Sequence, residues 1–213
     1  MTARECWELS KDKPFTLMIG ESRDGRITEQ YVLLSRKGGD VQKLENLRDR
    51  RLIVCTHRRA ELAPLWLDTL LLQNSLGEAA DLCRKITEEP IPSKAILHVF
   101  FGQADCCVVS RSSFAIMSEL HPQVSQRLGA IAVSPLLTPV VFVFRNDYQP
   151  AFRSRLVEEI FQLGASPDGM QLLNIFQADG LVEVHKADLA SVFELLSRRQ
   201  RLSEAAKVRK RNE

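Results

Sequence analysis

The sequence predicts an α/β protein in which short buried strands alternate with amphipathic helices. The clearest sign is the stretch Leu97–Phe114, LHVFFGQADCCVVSRSSF, where the helical spacing of apolar residues ends at a Gly102 turn. The run Cys106–Val109 that follows is entirely apolar, as expected of a strand covered on both faces. A helix, a buried strand and the start of another helix in so short a span indicate a layered α/β sandwich.

The elements before this stretch follow the same alternation. Apolar runs predict strands over residues 16–19, 30–36, 51–56 and 85–87. A broad apolar face predicts a helix over Leu62–Asn74, with Pro64 in the first turn, where a helix tolerates proline. A short helical turn is predicted at Leu44–Leu47, and a second helix at Glu78–Arg84.

The elements after this stretch continue the pattern to the end of the chain. Strands are predicted over residues 129–134, 140–145 and 181–184, and helices over residues 114–120, 151–163, 168–176 and 186–205. The two prolines in Ser134–Pro139 predict a segment that crosses between the two parts of the fold. The charged end, KVRKRNE, is predicted to be frayed.

Composition excludes several classes of protein. Hydrophobic residues make up 45% and charged residues 26% of the 213 residues, as in an ordinary globular protein of one large domain or two lobes. The net charge of +2 is too small to indicate a nucleic-acid partner. The first residues lack the apolar core of a signal peptide, and no apolar run has the length of a membrane span.

Two strand-to-helix junctions are the candidate binding sites. The first junction, before a predicted helix, carries Thr56, His57, Arg58 and Arg59. The N-terminus of a helix attracts anions. A hydroxyl and two guanidinium groups would strengthen the binding of an anion there. The alternative for this junction is a solvated basic turn.

The second junction follows the central strand. It carries Ser110, Ser112 and Ser113, and Ser112 or Ser113 is suited to cap the helix that begins at Phe114. A plain helix cap is therefore the alternative to a binding role. Asp105 begins the strand, where it is expected to pair with Arg111 or to cap a turn.

Catalytic and metal-binding patterns are weak. The four histidines lack the spacing of a metal site, and the five cysteines form no CxxC pair, so we expect no metal and no cofactor. The sequence contains no phosphate-binding or dinucleotide-binding glycine loop and no GxSxG motif. An enzyme that uses Cys106 or His57 is the remaining catalytic alternative, but a cysteine inside an apolar strand is usually inert.

Four stretches in this order resemble one protein family. They are Leu44–Leu72 (LENLRDRRLIVCTHRRAELAPLWLDTLLL), Leu97–Phe114, Ser134–Arg145 (SPLLTPVVFVFR) and Ser166–Phe176 (SPDGMQLLNIF). Together they resemble the phosphate/phosphonate-binding receptors of ABC transporters, over roughly residues 28–196. The resemblance implies a three-layer αβα sandwich of the type 2 periplasmic-binding-protein kind, whose two lobes close on an oxyanion at the hinge cleft.

The resemblance also points to the segment that would hold the oxyanion. Family members bind it partly on a Ser/Thr-rich segment at a helix N-terminus, just before the proline that matches Pro64. In this sequence His57, Arg58 and Arg59 take those positions, and Ala60 replaces a glycine. We therefore expect the arginines, rather than the usual backbone cradle, to hold the anion.

A further departure concerns the ligand's other end. The resemblance implies that receptors of aminophosphonates carry acidic residues for the amine, one after the strand that matches residues 105–109 and one near the two prolines. In this sequence Ser112 and residues 137–139 occupy those regions. An aminoalkyl phosphonate is therefore not the expected ligand.

The resemblance divides the chain into lobes. Residues 37–132 correspond to a complete second lobe, whereas residues 1–36 and 133–213 correspond to a partial first lobe with the hinge strands. Family members carry a further N-terminal part before the strand that matches Tyr31–Leu34. Without it, an uncovered sheet would favour association, and a homodimer is one expected outcome.

These observations lead to one functional hypothesis and one alternative. The hypothesis is a non-catalytic solute-binding component of an ABC transporter, with the transporter permease as its protein partner. The ligand would be phosphate or a phosphonate, and the binding residues would be Thr56, His57, Arg58, Arg59, Ser110, Ser112, Ser113 and Ser134. The resemblance places the protein in the periplasm, but the chain would be cytoplasmic if Met1 is its natural start. The alternative is a degenerate binding fold that acts as a sensor or protein-interaction module.

Overall fold

The chain forms two compact units, and each unit has its own β-sheet. The computed structural model describes residues 1–9, 15–23, 25–145, 150–175 and 178–212. Unit 1 combines Met1–Thr28 with Thr138–Phe193, and unit 2 combines Glu29–Leu137 with Glu194–Glu213. Helices and strands alternate in both units, so the predicted α/β class is confirmed.

The predicted strands all have counterparts in the described residues, with ends that shift by a few positions. The strands are β1 (Phe15–Ser22), β2 (Tyr31–Arg36), β3 (Arg51–Cys55), β4 (Lys85–Glu89), β5 (Cys106–Ser110), β6 (Leu128–Val133), β7 (Val141–Arg145) and β8 (Gly180–Val184). The α-helices are α1 (Ala3–Leu9), α2 (Leu62–Gln73), α3 (Ala79–Leu82), α4 (Pro92–Phe100), α5 (Arg111–Leu120), α6 (Pro122–Arg127), α7 (Pro150–Phe161), α8 (Pro167–Ile175) and α9 (Ala190–Asn212). Short 3₁₀ turns occupy Leu44–Leu47, Arg58–Ala60, Leu163–Ala165 and Lys186–Leu189.

The sheet of unit 2 has five strands in the order β4-β3-β5-β2-β6. Strand β3 runs parallel to both β4 and β5, whereas β2 runs antiparallel to β5 and to β6. The apolar runs of β3 and β5 are buried because these strands lie inside the sheet, and α2 and α4 pack against them. This is the core that the sequence predicts around Cys106–Val109.

The sheet of unit 1 has three antiparallel strands in the order β7-β1-β8. Met18 and Ile19 are neighbours on β1 and therefore point to opposite faces, yet both are almost completely buried. Both faces of this sheet are therefore covered at its central strand β1, and helices α1 and α7 contact the edge strands β7 and β8.

The compact units divide the chain at other positions than the predicted lobes do. Strand β2 belongs to unit 2, because both of its neighbours, β5 and β6, lie there. The later part of α9 also belongs to unit 2, where Arg199 contacts Asp68 at 3.3 Å and Glu78 at 3.6 Å. The assignment of lobes stays a prediction.

Two helix ends differ from the sequence-based expectation. Helix α5 begins at Arg111, and its cap is Ser110 rather than Ser112 or Ser113, because Ser110 is extended and its Oγ accepts the Ser113 N–H at 3.2 Å. Helix α9 continues to Asn212 instead of fraying after Ala205, since the segment contains neither Gly nor Pro. Within the described residues, no helix is long and apolar enough to cross a membrane.

The cap of α5 gives a first testable prediction. Replacing Ser110 by Ala removes the acceptor of the Ser113 N–H, and we expect the free energy of unfolding to fall by about 1 kcal/mol. Urea denaturation measures this change. Ser118→Ala is the matched control on the same helix, because its hydroxyl only donates back to the Phe114 carbonyl. Equal effects of the two substitutions would contradict the assigned cap.

A close backbone approach in unit 1 gives a second prediction. A Cβ at Gly169, in α8, would lie 1.8 Å from the carbonyl oxygen of Leu163, so Gly169→Ala should cost roughly 1–3 kcal/mol of stability. Gly164→Ala is the control, because the nearest atom to a Cβ there is Leu173 Cδ1 at 3.8 Å. Thermal unfolding of both variants tests the contact, and a stable Gly169→Ala protein would contradict it.

Candidate functional site

The strand directions of unit 2 bring the predicted site residues to one end of its sheet. Strands β3, β5 and β6 end there, and the antiparallel strand β2 begins there, with Tyr31 opposite Ser110. We call this the carboxyl end of the unit 2 sheet, defined by the residues that follow β3, β5 and β6 and those that precede β2. It gathers all eight predicted residues, namely Thr56, His57, Arg58, Arg59, Ser110, Ser112, Ser113 and Ser134.

The segment after β3 presents one of its two arginines to solvent. Thr56 donates its N–H to the Glu89 carbonyl at 3.3 Å, which ties the start of the segment to the end of β4. Thr56 and Arg58 are exposed, whereas Arg59 is only 9% exposed, and its carbonyl accepts the Tyr31 hydroxyl at 2.5 Å. Thr56 and Arg58 are therefore the most exposed residues of this segment, and His57 is half-buried.

The serines after β5 are bonded to the protein itself. Ser110 Oγ lies 2.7 Å from Ser113 Oγ and caps α5. Ser112 Oγ donates to the Glu29 carboxylate at 2.5 Å. The protons of Ser110 and Ser112 are thus directed to other protein groups, and these residues shape the site more than they offer it donors.

Ser134 directly follows β6, at the carboxyl end of the unit 2 sheet. It is 3% exposed, its Oγ accepts the Tyr31 N–H at 2.8 Å, and the same hydroxyl donates to the Pro135 carbonyl at 2.7 Å. Because a serine hydroxyl has one proton, none is left for a ligand. The role of Ser134 in binding stays a prediction.

Glu29 lies at the same place and was not among the sequence candidates. Its carboxylate accepts the Ser112 hydroxyl and the Gln30 N–H, the latter at 3.0 Å, and the residue is 8% exposed. Burial raises the pKa of the Tyr31 hydroxyl, and the negative charge of Glu29 raises it further. The only signal in the sequence is an acidic residue directly before a strand, which becomes informative once β2 is known to be antiparallel.

Asp105 lies at the opposite end of β5 and has a structural partner. The expected pair with Arg111 is wrong, because Arg111 Nη1 donates to Gln30 Oε1 at 2.8 Å. Asp105 Oδ1 instead lies 2.9 Å from Arg51 Nη2, and Oδ2 accepts the Arg51 N–H at 2.8 Å. The Arg51 hydrogen bonds and charge lower the pKa of this carboxyl.

The cysteines of the central strand are enclosed. Burial raises the pKa of both the Cys106 and the Cys107 thiol, so neither is present as a reactive thiolate near neutral pH. Within the described residues, no group of His, Cys, Asp and Glu side chains has the arrangement of a metal site. Nothing in this geometry supports the Cys106 alternative.

Comparison with protein-family models identifies the family. Residues 2–189 match the family described as "ABC transporter, phosphonate, periplasmic substrate-binding protein". The chain belongs to this family. The members are periplasmic binding proteins rather than enzymes, and the family implies a small-molecule ligand and a transporter permease as partner. No curated protein sequence matches the chain.

Solved structures show the same type 2 periplasmic-binding-protein fold. XAC2383 from Xanthomonas citri bound to ATP has 16% identity and a TM-score of 0.70, over 95% of this chain and 77% of that one. A binding protein component of an ABC phosphonate transporter from Pseudomonas aeruginosa has 16% identity and a TM-score of 0.65, over 89% and 64%. PhnD1 from Prochlorococcus marinus in complex with methylphosphonate has 14% identity and a TM-score of 0.62, over 91% and 75%.

The Asp105–Arg51 pair predicts a pH-dependent difference in stability. A carboxyl whose pKa is lowered by folding stabilises the protein above its unfolded pKa of about 4, and that stabilisation is lost as the pH falls through the folded pKa. Asp105→Asn should therefore melt below the wild type at neutral pH, and the difference should shrink below about pH 4. Melting curves across this range test it, and a difference independent of pH would contradict it.

Proposed function

We propose that this protein is a non-catalytic receptor for a small oxyanion, phosphate or a phosphonate, bound at the carboxyl end of the unit 2 sheet. The observation that supports it best is the convergence of three connecting segments, after β3, β5 and β6, at one end of one sheet. Ligands of open α/β sheets commonly bind where such segments meet. Membership of the phosphonate receptor family agrees with this ligand class.

The groups that would hold the oxyanion come from the segment after β3. Arg58 and Thr56 are exposed at the approach to α2, a helix of 12 residues whose N-terminus favours negative charge. A guanidinium group forms paired, charge-assisted hydrogen bonds with a planar or tetrahedral oxyanion. Arg59 would act indirectly, because its carbonyl accepts the Tyr31 hydroxyl and thereby holds the backbone next to Arg58 in place.

The ligands of the structural relatives support the same chemical class. XAC2383 is bound to ATP, and PhnD1 is in complex with methylphosphonate. Both ligands present phosphorus oxyanions. At 16% and 14% identity these relatives establish the fold alone, so the identity of the ligand belongs to our proposal.

The sensor or protein-interaction module is the second candidate, and one observation favours it. The Ser110, Ser112 and Ser134 hydroxyls all donate to protein groups, so much of the polar surface at this end is already satisfied. A vestigial site that no longer binds an anion would show the same bonding. An interaction module would also fit a homodimer, which we keep as a proposal.

The family also supplies the biological setting of the proposal. As a transport receptor the protein would work in the periplasm and deliver its ligand to an ABC transporter permease. No step of catalysis is part of this function.

Ligand-induced stabilisation tests the proposal. Phosphate or methylphosphonate should raise the melting temperature of the protein in a saturable way, because a ligand of the folded state alone stabilises that state. Arg58→Ala should weaken this binding by roughly ten-fold or more, since it removes a charge-assisted hydrogen bond. Differential scanning fluorimetry over a ligand titration measures both effects.

The control is Arg84→Ala, which removes one exposed positive charge at the other end of the same sheet, just before β4. It should leave the titration unchanged. Equal losses in the two variants would mean that the arginine acts only through general charge. If neither anion stabilises the wild type, the receptor proposal fails and the interaction module becomes the proposed function.

A further inference from the structure

Unit 1 contains an apolar cavity of about 210 Å³. It lies between one face of the three-stranded sheet and the segment formed by α7, the 3₁₀ turn at Leu163–Ala165 and α8. Nine of the ten described residues that line it are apolar, and the tenth is Glu21. All ten belong to unit 1, so this cavity uses none of the residues of the candidate oxyanion site.

The register of the unit 1 sheet explains why these side chains meet. Ile19 and Glu21 are two positions apart on β1 and therefore point to the same face. Phe142 lies opposite Ile19 on β7, and Leu181 lies opposite Glu21 on β8, so all three strands contribute to this face. Ile19 and Glu21 are almost completely buried, whereas Phe142 is 36% exposed and Leu172, in α8, is 43% exposed. The cavity is therefore closed at β1 and accessible beside the two exposed side chains.

The size and the lining of the cavity determine what can occupy it. A buried water needs about two to four polar partners, and cavities with an apolar lining stay free of water. An apolar cavity of about 150 Å³ is large enough for one benzene ring. The unit 1 cavity therefore has room for one aromatic ring with a few further atoms. Such a ligand would supply dispersion contacts that the lining side chains otherwise lack.

Glu21 adds one requirement to this apolar ligand. The residue is 4% exposed, and an ionised carboxylate accepts hydrogen bonds at about four positions and donates none. Burying such a group is costly unless donors satisfy it, and a donor on the ligand would contribute to this. An oxyanion would be repelled by the same charge. The cavity thus favours an aromatic ligand that carries a donor, and it disfavours the ligands of the oxyanion site.

We propose that the unit 1 cavity is a second binding site, which takes a small single-ring aromatic molecule whose hydrogen-bond donor is accepted by Glu21. This proposal goes beyond the oxyanion function and does not depend on it. The donor has two sources, a neutral hydroxyl, as in phenol, or an ammonium group, as in benzylamine at neutral pH. In both cases the ring contacts the apolar lining and the donor contacts the carboxylate.

Titrations of the full chain, followed by the methyl resonances of labelled isoleucine and leucine, test the proposal. The probes are phenol, benzylamine and toluene, which share the ring and differ in the donor. Saturable shifts should concentrate at Ile19, Ile160 and Leu173, which line the cavity, and Leu33 in unit 2 should not shift. Phenol or benzylamine should bind about ten-fold more tightly than toluene, because a charged acceptor strengthens the hydrogen bond. The tighter of the two identifies the donor.

Two variants separate the role of the cavity from that of its carboxylate. Ala178→Leu enlarges a side chain of the lining and should abolish the binding of all three probes. Ala187→Leu is its matched control, because Ala187 is exposed and lies outside the lining. Glu21→Leu removes the acceptor, so the three affinities should come within about three-fold of one another. Glu183→Leu, at an exposed position of β8, should keep the preference for a donor.

Four results would overturn the proposal. They are the absence of shifts at the cavity methyl groups with all three probes, unchanged binding in Ala178→Leu, an unchanged donor preference in Glu21→Leu, and a wild type that binds toluene as tightly as both donor probes. If a variant does not fold, the wild-type affinities for the three probes and the positions of the shifts decide. None of these results bears on the oxyanion function, which methylphosphonate tests separately.

Discussion

The pairing of strand β2 is the constraint on which the candidate site depends. Because β2 runs antiparallel between β5 and β6, its first residues lie where its neighbours end. Tyr31 then ties two segments to β2: its N–H donates to the Ser134 hydroxyl, its carbonyl accepts the Ser134 N–H, and its hydroxyl donates to the Arg59 carbonyl. If β2 were displaced, the segments after β3 and β6 would lose their common anchor.

This bonding ties the segments at the carboxyl end of the unit 2 sheet to one another. The hydroxyls of Ser110 and Ser134 fix their own segments, so binding would not require the entropy cost of ordering them. The same bonding engages the Ser110, Ser112 and Ser134 hydroxyls, while the Arg58 side chain is exposed to solvent.

Local sequence patterns predict the helices and strands, whereas contacts between residues far apart in the sequence determine the partners of individual side chains. Strands β3 and β5 were predictable because a strand buried on both faces is an unbroken apolar run, and the junction at Thr56–Arg59 followed from that strand. The partner of Asp105 was not predictable, since Arg51 is 54 positions away whereas Arg111 is close in sequence. Glu29 escaped notice because its place depends on the direction of β2, which no local pattern encodes.

The most direct test of the central claim is a methylphosphonate titration of the isotopically labelled full chain, followed by backbone amide resonances in NMR spectra. The account predicts that shifts concentrate around Tyr31, Thr56 and Ser112, in residues that come together only at the carboxyl end of the unit 2 sheet. Shifts confined to β4 or to the strands of unit 1, with these three regions unchanged, would contradict it.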